Sequence, residues 1–226
     1  MKTVEIHSLY YPDTPSALVD LHKRIMAHLN LPVIYTERVV RHGVWMDLIM
    51  NSTVADVCVF LDIDCIVSKA RVLDNLIQYA LKFNSFIGPA QSTNCIKDTA
   101  HVFASPACLV VSNSGYRALG NPTFLENGDC DVAQNLSRTA ERNGIPYRAF
   151  YPYGYQKIPD EGAWRLGNYG TFGIGTIYFP FRRTDDGFVF HLYQGRKSQN
   201  ISIFKDFCSA ILEDKSPPES VYLSEG

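Results

Sequence analysis

Apolar and polar positions follow two alternating periods along the first 90 residues. Short apolar runs predict strands at Val4–Tyr10, 32–35, Val57–Leu61 and 86–89. Apolar residues at helical spacing predict helices between these strands, over 16–29, 43–50 and 69–83. Strands that alternate with helices of this length predict an α/β fold, with a mainly parallel sheet flanked by helices.

The second half of the chain is less regular. Strand-like runs occur at 101–112, 147–151 and 189–193, and helical spacing at 131–143 and 201–212, with a turn or short helix at 113–120. Residues 153–176 are rich in Gly, Tyr and Trp without periodicity, which predicts a long loop over a site. We expect one domain over residues 1–212 and a linker or tail over 213–226. The whole could be part of a larger multidomain chain.

Asp62 and Asp64 follow the most apolar predicted strand, Val57–Leu61. Its five consecutive apolar residues predict burial on both faces, as in the middle of a parallel sheet. Because side chains alternate along an extended chain, Asp62 and Asp64 should project to the same side where the strand ends. Two such carboxylates repel each other unless a cation lies between them, and a divalent ion that also binds substrate phosphates fits. An Asp-rich turn is the alternative.

Composition excludes several classes of function. The formal net charge of -2 gives no electrostatic footprint for nucleic acid or acidic membranes. The chain enters a strand pattern directly, without the basic and apolar regions of a signal peptide, and no apolar run has the length of a membrane span. The six cysteines lack the spacing of zinc ribbons or redox motifs. We therefore expect a cytoplasmic protein without nucleic-acid partners.

Two further polar points stand out along the chain. Asp129 and Asp131 precede the helix predicted over 131–143, where acids are favoured for capping alone. His191 lies inside an apolar strand-like run, where a histidine satisfied by the backbone is the alternative to a functional one. The aspartates could accept a proton or shield a cationic centre.

In this order, the three polar points resemble the metal-dependent glycosyltransferases of the GT-A fold, over about residues 35–200. The likeness is to the retaining branch that includes glycogenin and the bacterial lipooligosaccharide galactosyltransferases. That branch has an Asp-x-Asp strand end, an Asp-Gln-Asp that opens a helix, and a His-x-x-Gly-x-x-Lys segment. Short glycosyltransferases encoded by large algal viruses belong to the set that this chain resembles. The implied fold is a single Rossmann-like domain.

The resemblance implies roles for individual residues. Asp62 and Asp64 match the family's pair that binds the metal and the ribose, and His191 matches its third protein ligand for Mn²⁺ or Mg²⁺. Gly195 and Lys197 match the Gly and Lys that approach the donor diphosphate, although the spacing here differs by one residue.

The donor side of the site is expected at the end of the first strand. Arg41 lies about where the family has a donor-binding Arg, and Ser8 and Tyr10 should line the nucleotide pocket at the carboxyl edge of the sheet. The resemblance implies UDP as the nucleotide. The expected partners are therefore a UDP-sugar donor and a glycan or other hydroxyl acceptor.

The stereochemistry of transfer stays open. The order of the motifs favours retention of the anomeric configuration. However, Cys130 stands where the family has the Gln of Asp-Gln-Asp, and the family's trailing Lys-Pro-Trp is absent. An inverting enzyme with Asp129 or Asp131 as its base is the alternative.

Three other classes are compatible with parts of the pattern. Phosphatases of the haloacid-dehalogenase type share the string around Asp62, but they place this strand first and follow it with a Lys motif. Nucleotidyltransferases share the fold and metal, but usually carry a Gly-rich basic loop after the first strand, which residues 8–14 lack. A non-catalytic carbohydrate-binding module would explain the aromatic residues but not the two carboxylates.

Overall fold

The structure is a computed structural model that describes residues 2–93, 100–156, 164–181, 187–195, 197, 200–216, 218–219 and 221–222. No helix among these residues is long and apolar enough to cross a membrane.

A seven-stranded sheet forms the centre of the molecule. Its strands are β1 (Val4–Tyr10), β2 (Val33–Glu37), β3 (Val57–Leu61), β5 (Phe86–Gln91), β6 (Phe103–Ala104), β7 (Cys108–Ser112) and β8 (Arg148–Phe150). The order is β2-β1-β3-β7-β5-β6, and β8 also pairs with β5. Strands β1, β2, β3, β5 and β8 run in one direction, whereas β6 and β7 run against them. The predicted mixed, mainly parallel sheet is confirmed.

Helices cover both faces of this sheet. They are α1 (Ser16–His28), α2 (His42–Ser52), α3 (Ala70–Phe83), α4 (Asn113–Ala118), α5 (Gln134–Arg142) and α6 (Ile201–Leu212). Buried side chains of α1, α3 and α6 join one hydrophobic cluster, and those of α2, α4 and α5 join the other. β3 is buried throughout because it lies between these two clusters. This burial explains its continuous apolar sequence.

A second, antiparallel sheet lies beside the first. It consists of β4 (Cys65–Val67), β9 (Pro152–Tyr155), β12 (Gly175–Tyr178), β13 (Val189–Leu192) and β14 (Val221–Tyr222), in the order β14-β9-β12-β13-β4. A separate hairpin joins β10 (Trp164–Leu166) to β11 (Gly170–Phe172).

This second sheet corrects one prediction. The long loop predicted over 153–176 is wrong, because its described residues form β9, the β10–β11 hairpin and β12; residues 157–163 lie outside the described part. These strands are only three or four residues long, which is too short for an apolar periodicity to reveal them. The tail predicted over 213–226 contributes β14, which pairs with β9.

Candidate functional site

The turn that carries Asp62 and Asp64 is fixed by backbone hydrogen bonds at the carboxyl end of β3. The Asp62 amide donates to the carbonyl of Ala107 (2.9 Å), next to β7. The Cys65 amide donates back to the carbonyl of Asp62 (2.9 Å), and the chain then enters β4. Both carboxylates therefore lie at the edge of the sheet where ligands bind in open α/β folds.

β4 brings His191 to this turn. β13 pairs with β4 so that His191 is opposite Cys65, and the Leu192 amide donates to the carbonyl of Asp64 (2.9 Å). As a result, His191 Nε2 lies 3.5 Å from Asp64 Oδ1. One ligand atom from each of Asp62, Asp64 and His191 falls within 4.8 Å of the others. The structure thus brings His191 to Asp62 and Asp64, which lie far earlier in the sequence.

The imidazole of His191 fits a cation site. The residue is only 6% exposed, and its Nδ1 has no hydrogen-bond partner among the described residues. The distance of 3.5 Å between its Nε2 and Asp64 Oδ1 is long for a hydrogen bond. An ion between His191 and the carboxylates would give Nε2 a close partner, while Nδ1 on the other side of the ring would stay unpaired. Tyr193 packs against the imidazole, with ring centroids 4.1 Å apart, and limits its orientation. Two carboxylates and one imidazole suit Mn²⁺ or Mg²⁺.

Gly195 lies against Asp64. A Cβ added at Gly195 would be 2.6 Å from Asp64 Cβ and 2.7 Å from Asp64 Oδ2, much closer than any ordinary contact. Only glycine therefore lets the turn after β13 approach the carboxylate. Lys197, two residues further on, is exposed. Arg196 lies outside the described residues.

His42 is a site residue that the sequence analysis missed. It begins α2, and its Nε2 is buried, without a hydrogen-bond partner among the described residues, and 3.5 Å from Asp62 Oδ1. A cavity of about 200 Å³ at this point is lined by Leu9, Tyr11, His42, Asp62, Ile63 and Asp64. The sequence could have indicated His42 by its position at the start of the helix that follows β2, because such a position lies at the carboxyl edge of the sheet.

The residues predicted on the donor side differ in their placement. Ser8 is completely buried within β1, so the prediction that it lines a nucleotide pocket is wrong. Tyr10 ends β1 with its hydroxyl 3.2 Å from Glu37 Oε2. Arg41 is held by Glu126, to whose Oε1 its Nε donates (2.8 Å), and the neighbouring His42 lines the cavity instead.

A larger cavity of about 460 Å³ lies at the end of β2. Its lining includes Tyr35, Glu37, Arg38 and Trp45 as well as Thr36. The two cavities are neighbours, because Thr36 pairs across the β1–β2 register with Leu9, which lines the smaller one.

Asp129 and Asp131 precede α5 but do not cap it. The helix begins at Gln134 rather than at 131, because Ala133 has a left-handed backbone (φ 65°). Asp131 Oδ1 accepts a hydrogen bond from the Val132 amide (2.8 Å) and not from an amide of the first helical turn. Helix capping therefore does not explain the presence of these two aspartates. Asp129 is exposed in a turn in which Asn127 Oδ1 accepts from its amide (2.8 Å).

The carboxyl group of Asp131 interacts electrostatically with residues of the site. Burial raises its pKa, the nearby Glu126 carboxylate raises it further, and the Val132 amide and the His42 imidazole oppose these effects. Since His42 also lies beside Asp62, Asp131 belongs to the same end of the molecule as the three clustered residues.

A second cluster, formed by Glu5, His7 and Cys58, is explained by hydrogen bonding. His7 Nε2 lies 3.1 Å from Glu5 Oε2, which also accepts from Thr53 Oγ1 (2.9 Å). Burial raises the pKa of the Cys58 thiol to about 11, which disfavours the thiolate that a metal would need.

Comparisons with known proteins show likenesses of fold only. No protein-family model and no curated protein sequence matches this chain. A mannosyltransferase from Pyrobaculum calidifontis, PcManGT in complex with GDP-mannose and Mn²⁺, has a similar fold, with 10% sequence identity and a TM-score of 0.48. The alignment covers 72% of this chain but only 59% of the mannosyltransferase, so this chain spans less than two thirds of its length.

Two further solved structures have similar folds. For 2-C-methyl-D-erythritol 4-phosphate cytidylyltransferase from Thermus thermophilus, the identity is 9%, the TM-score 0.43, and the coverage 92% of this chain and 100% of that one. For A197 from STIV, the identity is 9%, the TM-score 0.40, and the coverage 82% and 99%. At such scores the likeness extends to the fold alone.

Proposed function

We propose that this protein is a metal-dependent glycosyltransferase that uses a nucleoside-diphosphate sugar. The observation that supports the proposal most strongly is the convergence of Asp62, Asp64 and His191 at the carboxyl edge of the sheet. The resemblance of the sequence to GT-A enzymes names the same three residues independently of this geometry. A phosphatase or a carbohydrate-binding module would not require the third, imidazole ligand.

The three clustered residues would hold Mn²⁺ or Mg²⁺. A bound divalent ion acts as a Lewis acid that stabilises the negative charge on the departing diphosphate. Asp64 and His191 keep their relative positions through the β4–β13 pairing, and Asp62 is flanked by His42. Lys197 is exposed and could add a charge-assisted hydrogen bond to the diphosphate.

The cavity at the end of β2 suits the nucleoside. It combines the rings of Tyr35 and Trp45 with the polar groups of Thr36, Glu37 and Arg38, so it offers both ring surfaces and hydrogen-bonding groups to a base and a ribose. It adjoins the smaller cavity that reaches Asp62 and Asp64, so a nucleotide could extend from one into the other. UDP is the nucleotide that we propose, by resemblance to the retaining GT-A branch.

Asp131 is the carboxylate that we assign to the sugar or the acceptor, in preference to the exposed Asp129. Its burial holds it in one place and raises its pKa, as is useful for a group that exchanges a proton near neutral pH. We propose retention of configuration from the order of the motifs. Because Cys130 cannot replace the amide of a Gln, any stabilisation on the front face of the sugar must come from a neighbouring acid or carbonyl.

Product analysis tests the proposed function. The protein with Mn²⁺ is incubated with UDP-glucose, UDP-galactose, UDP-N-acetylglucosamine and GDP-mannose, with water as the slow acceptor, and the phosphate-containing products are separated. We expect a nucleoside diphosphate from at least one donor, and its loss with EDTA or in Asp64→Asn. In parallel incubations, release of inorganic phosphate from a phosphate monoester would indicate a phosphatase, and release of pyrophosphate from a nucleoside triphosphate and a sugar phosphate would indicate a nucleotidyltransferase. Absence of nucleoside diphosphate with all four donors would refute the proposal.

A further inference from the structure

Two exposed tyrosines form a pair near the carboxyl edge of the large sheet. Tyr151 follows β8 and is 41% exposed, and Tyr169 lies at the tip of the β10–β11 hairpin and is 66% exposed. Their ring centroids are 4.7 Å apart and their planes are tilted by 60°. An exposed pair of aromatic rings offers a surface on which the apolar face of a ligand can stack.

The hairpin that carries Tyr169 is fixed to the end of β5. Ser92 Oγ donates to the carbonyl of Arg165 (2.8 Å) and accepts from the amide of Gly167 (2.7 Å). The Tyr169 amide donates to the carbonyl of Leu166 (2.8 Å) and closes the turn. The position of Tyr169 against Tyr151 is therefore built into the fold rather than left to an unattached loop.

Strand register places the tyrosine pair level with the proposed metal site. Val59 is opposite Val110 across β3 and β7, and Val110 is opposite Ile87 across β7 and β5. Ile87 is in turn opposite Arg148 across β5 and β8. Asp62 and Tyr151 each lie three residues beyond this row, so they are level with each other and separated by three strand spacings, about 14 Å.

We propose that Tyr151 and Tyr169 form a stacking platform for a sugar unit of the acceptor, which makes the acceptor a carbohydrate. This inference rests on the proposed glycosyltransferase function and identifies the class of its acceptor. Pyranose rings present C–H groups on their faces, and these pack on the negative faces of aromatic rings while the hydroxyls point outward. A distance of about 14 Å from Asp62 suits an oligosaccharide whose terminal unit reaches the donor sugar.

Saturation-transfer NMR with maltose, cellobiose, lactose and N,N′-diacetylchitobiose tests the platform in the intact chain. We expect at least one disaccharide to receive saturation on its ring protons. The double variant Tyr151→Ala/Tyr169→Ala should weaken that binding about tenfold or more, whereas Tyr151→Phe/Tyr169→Phe, which keeps the ring faces, should retain most of it. Phe83→Ala is the matched control, because Phe83 is also an exposed ring (47%) but lies at the end of α3.

The outcomes separate this inference from the proposed function. Donor hydrolysis in the tyrosine variants should equal that of the wild type, since the pair does not line the donor cavities. If all four disaccharides fail to bind, or bind equally well to the alanine double variant, the platform is refuted while donor hydrolysis stands. If the disaccharides bind at the tyrosines but no nucleotide sugar is ever cleaved, the glycosyltransferase function is refuted and the surface is a carbohydrate-binding site alone.

Discussion

Gly195→Ala should impair the proposed metal site without unfolding the protein. The added Cβ would lie 2.6 Å from Asp64 Cβ, whereas carbon atoms pack at about 3.5–4.0 Å, so the backbone at Asp64 or the turn after β13 must move by about 1 Å. Displacing a group that orients a metal ligand typically weakens metal binding about 10–100-fold, and we expect a loss in that range for Mn²⁺. Rotation of the Asp64 side chain cannot relieve a contact with its own Cβ, so the backbone must shift, and we expect a cost of about 1–3 kcal/mol in folding free energy.

Calorimetric titration of Mn²⁺ measures this effect, and thermal unfolding checks that the variant is folded. Gly128→Ala is the matched control, because an added Cβ there has nothing within 4 Å and should leave Mn²⁺ affinity unchanged. If folded Gly195→Ala binds Mn²⁺ as tightly as the wild type, Asp64 does not hold the ion in the way described.

Further expectations concern the groups around the clustered residues. Asp131→Asn should lower turnover about 10²–10⁴-fold. Because the pKa of Asp131 is raised in the folded state, its charged form opposes folding. Chemical denaturation at neutral pH should therefore show that the variant is at least as stable as the wild type. As the pH falls through the range in which carboxyl groups titrate, the wild type should gain stability relative to the variant. A wild type that is more stable than the variant at neutral pH, and loses this advantage at low pH, would contradict a raised pKa for Asp131. His42→Ala should weaken UDP binding in calorimetry about tenfold, the worth of one hydrogen bond, and unchanged affinity would exclude His42 from the donor site. Proton NMR of the first-formed product should show the anomeric configuration of the donor, and the opposite configuration would make Asp131 the base of an inverting enzyme.

The main features of the fold were predictable where one periodicity dominates. The apolar run Val57–Leu61 is a buried strand because helices cover both faces of the sheet, and α6 (Ile201–Leu212) was predicted with its observed bounds. The start of α5 was misplaced because the left-handed backbone of Ala133, a residue that rarely adopts it, interrupts the chain after Asp131. The strands between 152 and 178 are too short for a period of two to stand out.

The candidate site was only partly visible in the sequence. Asp62 and Asp64 could be paired locally, because strand geometry relates residues two apart. The placement of His191 depends on the three-residue strand β4, which sequence periodicity cannot reveal. Arg41 and His42 are adjacent in sequence, and only the ion pair between Arg41 and Glu126 shows which of them turns toward the cavity.

Pulsed electron paramagnetic resonance of bound Mn²⁺ tests the central proposal most directly. With UDP present, the bound ion should show a ¹⁴N coupling from an imidazole and ³¹P couplings from the diphosphate, and His191→Gln should remove the ¹⁴N coupling while leaving the protein folded. A bound ion with ³¹P but no ¹⁴N coupling in the wild type, or a spectrum identical to that of Mn²⁺ and UDP free in solution, would contradict a site built from Asp62, Asp64 and His191.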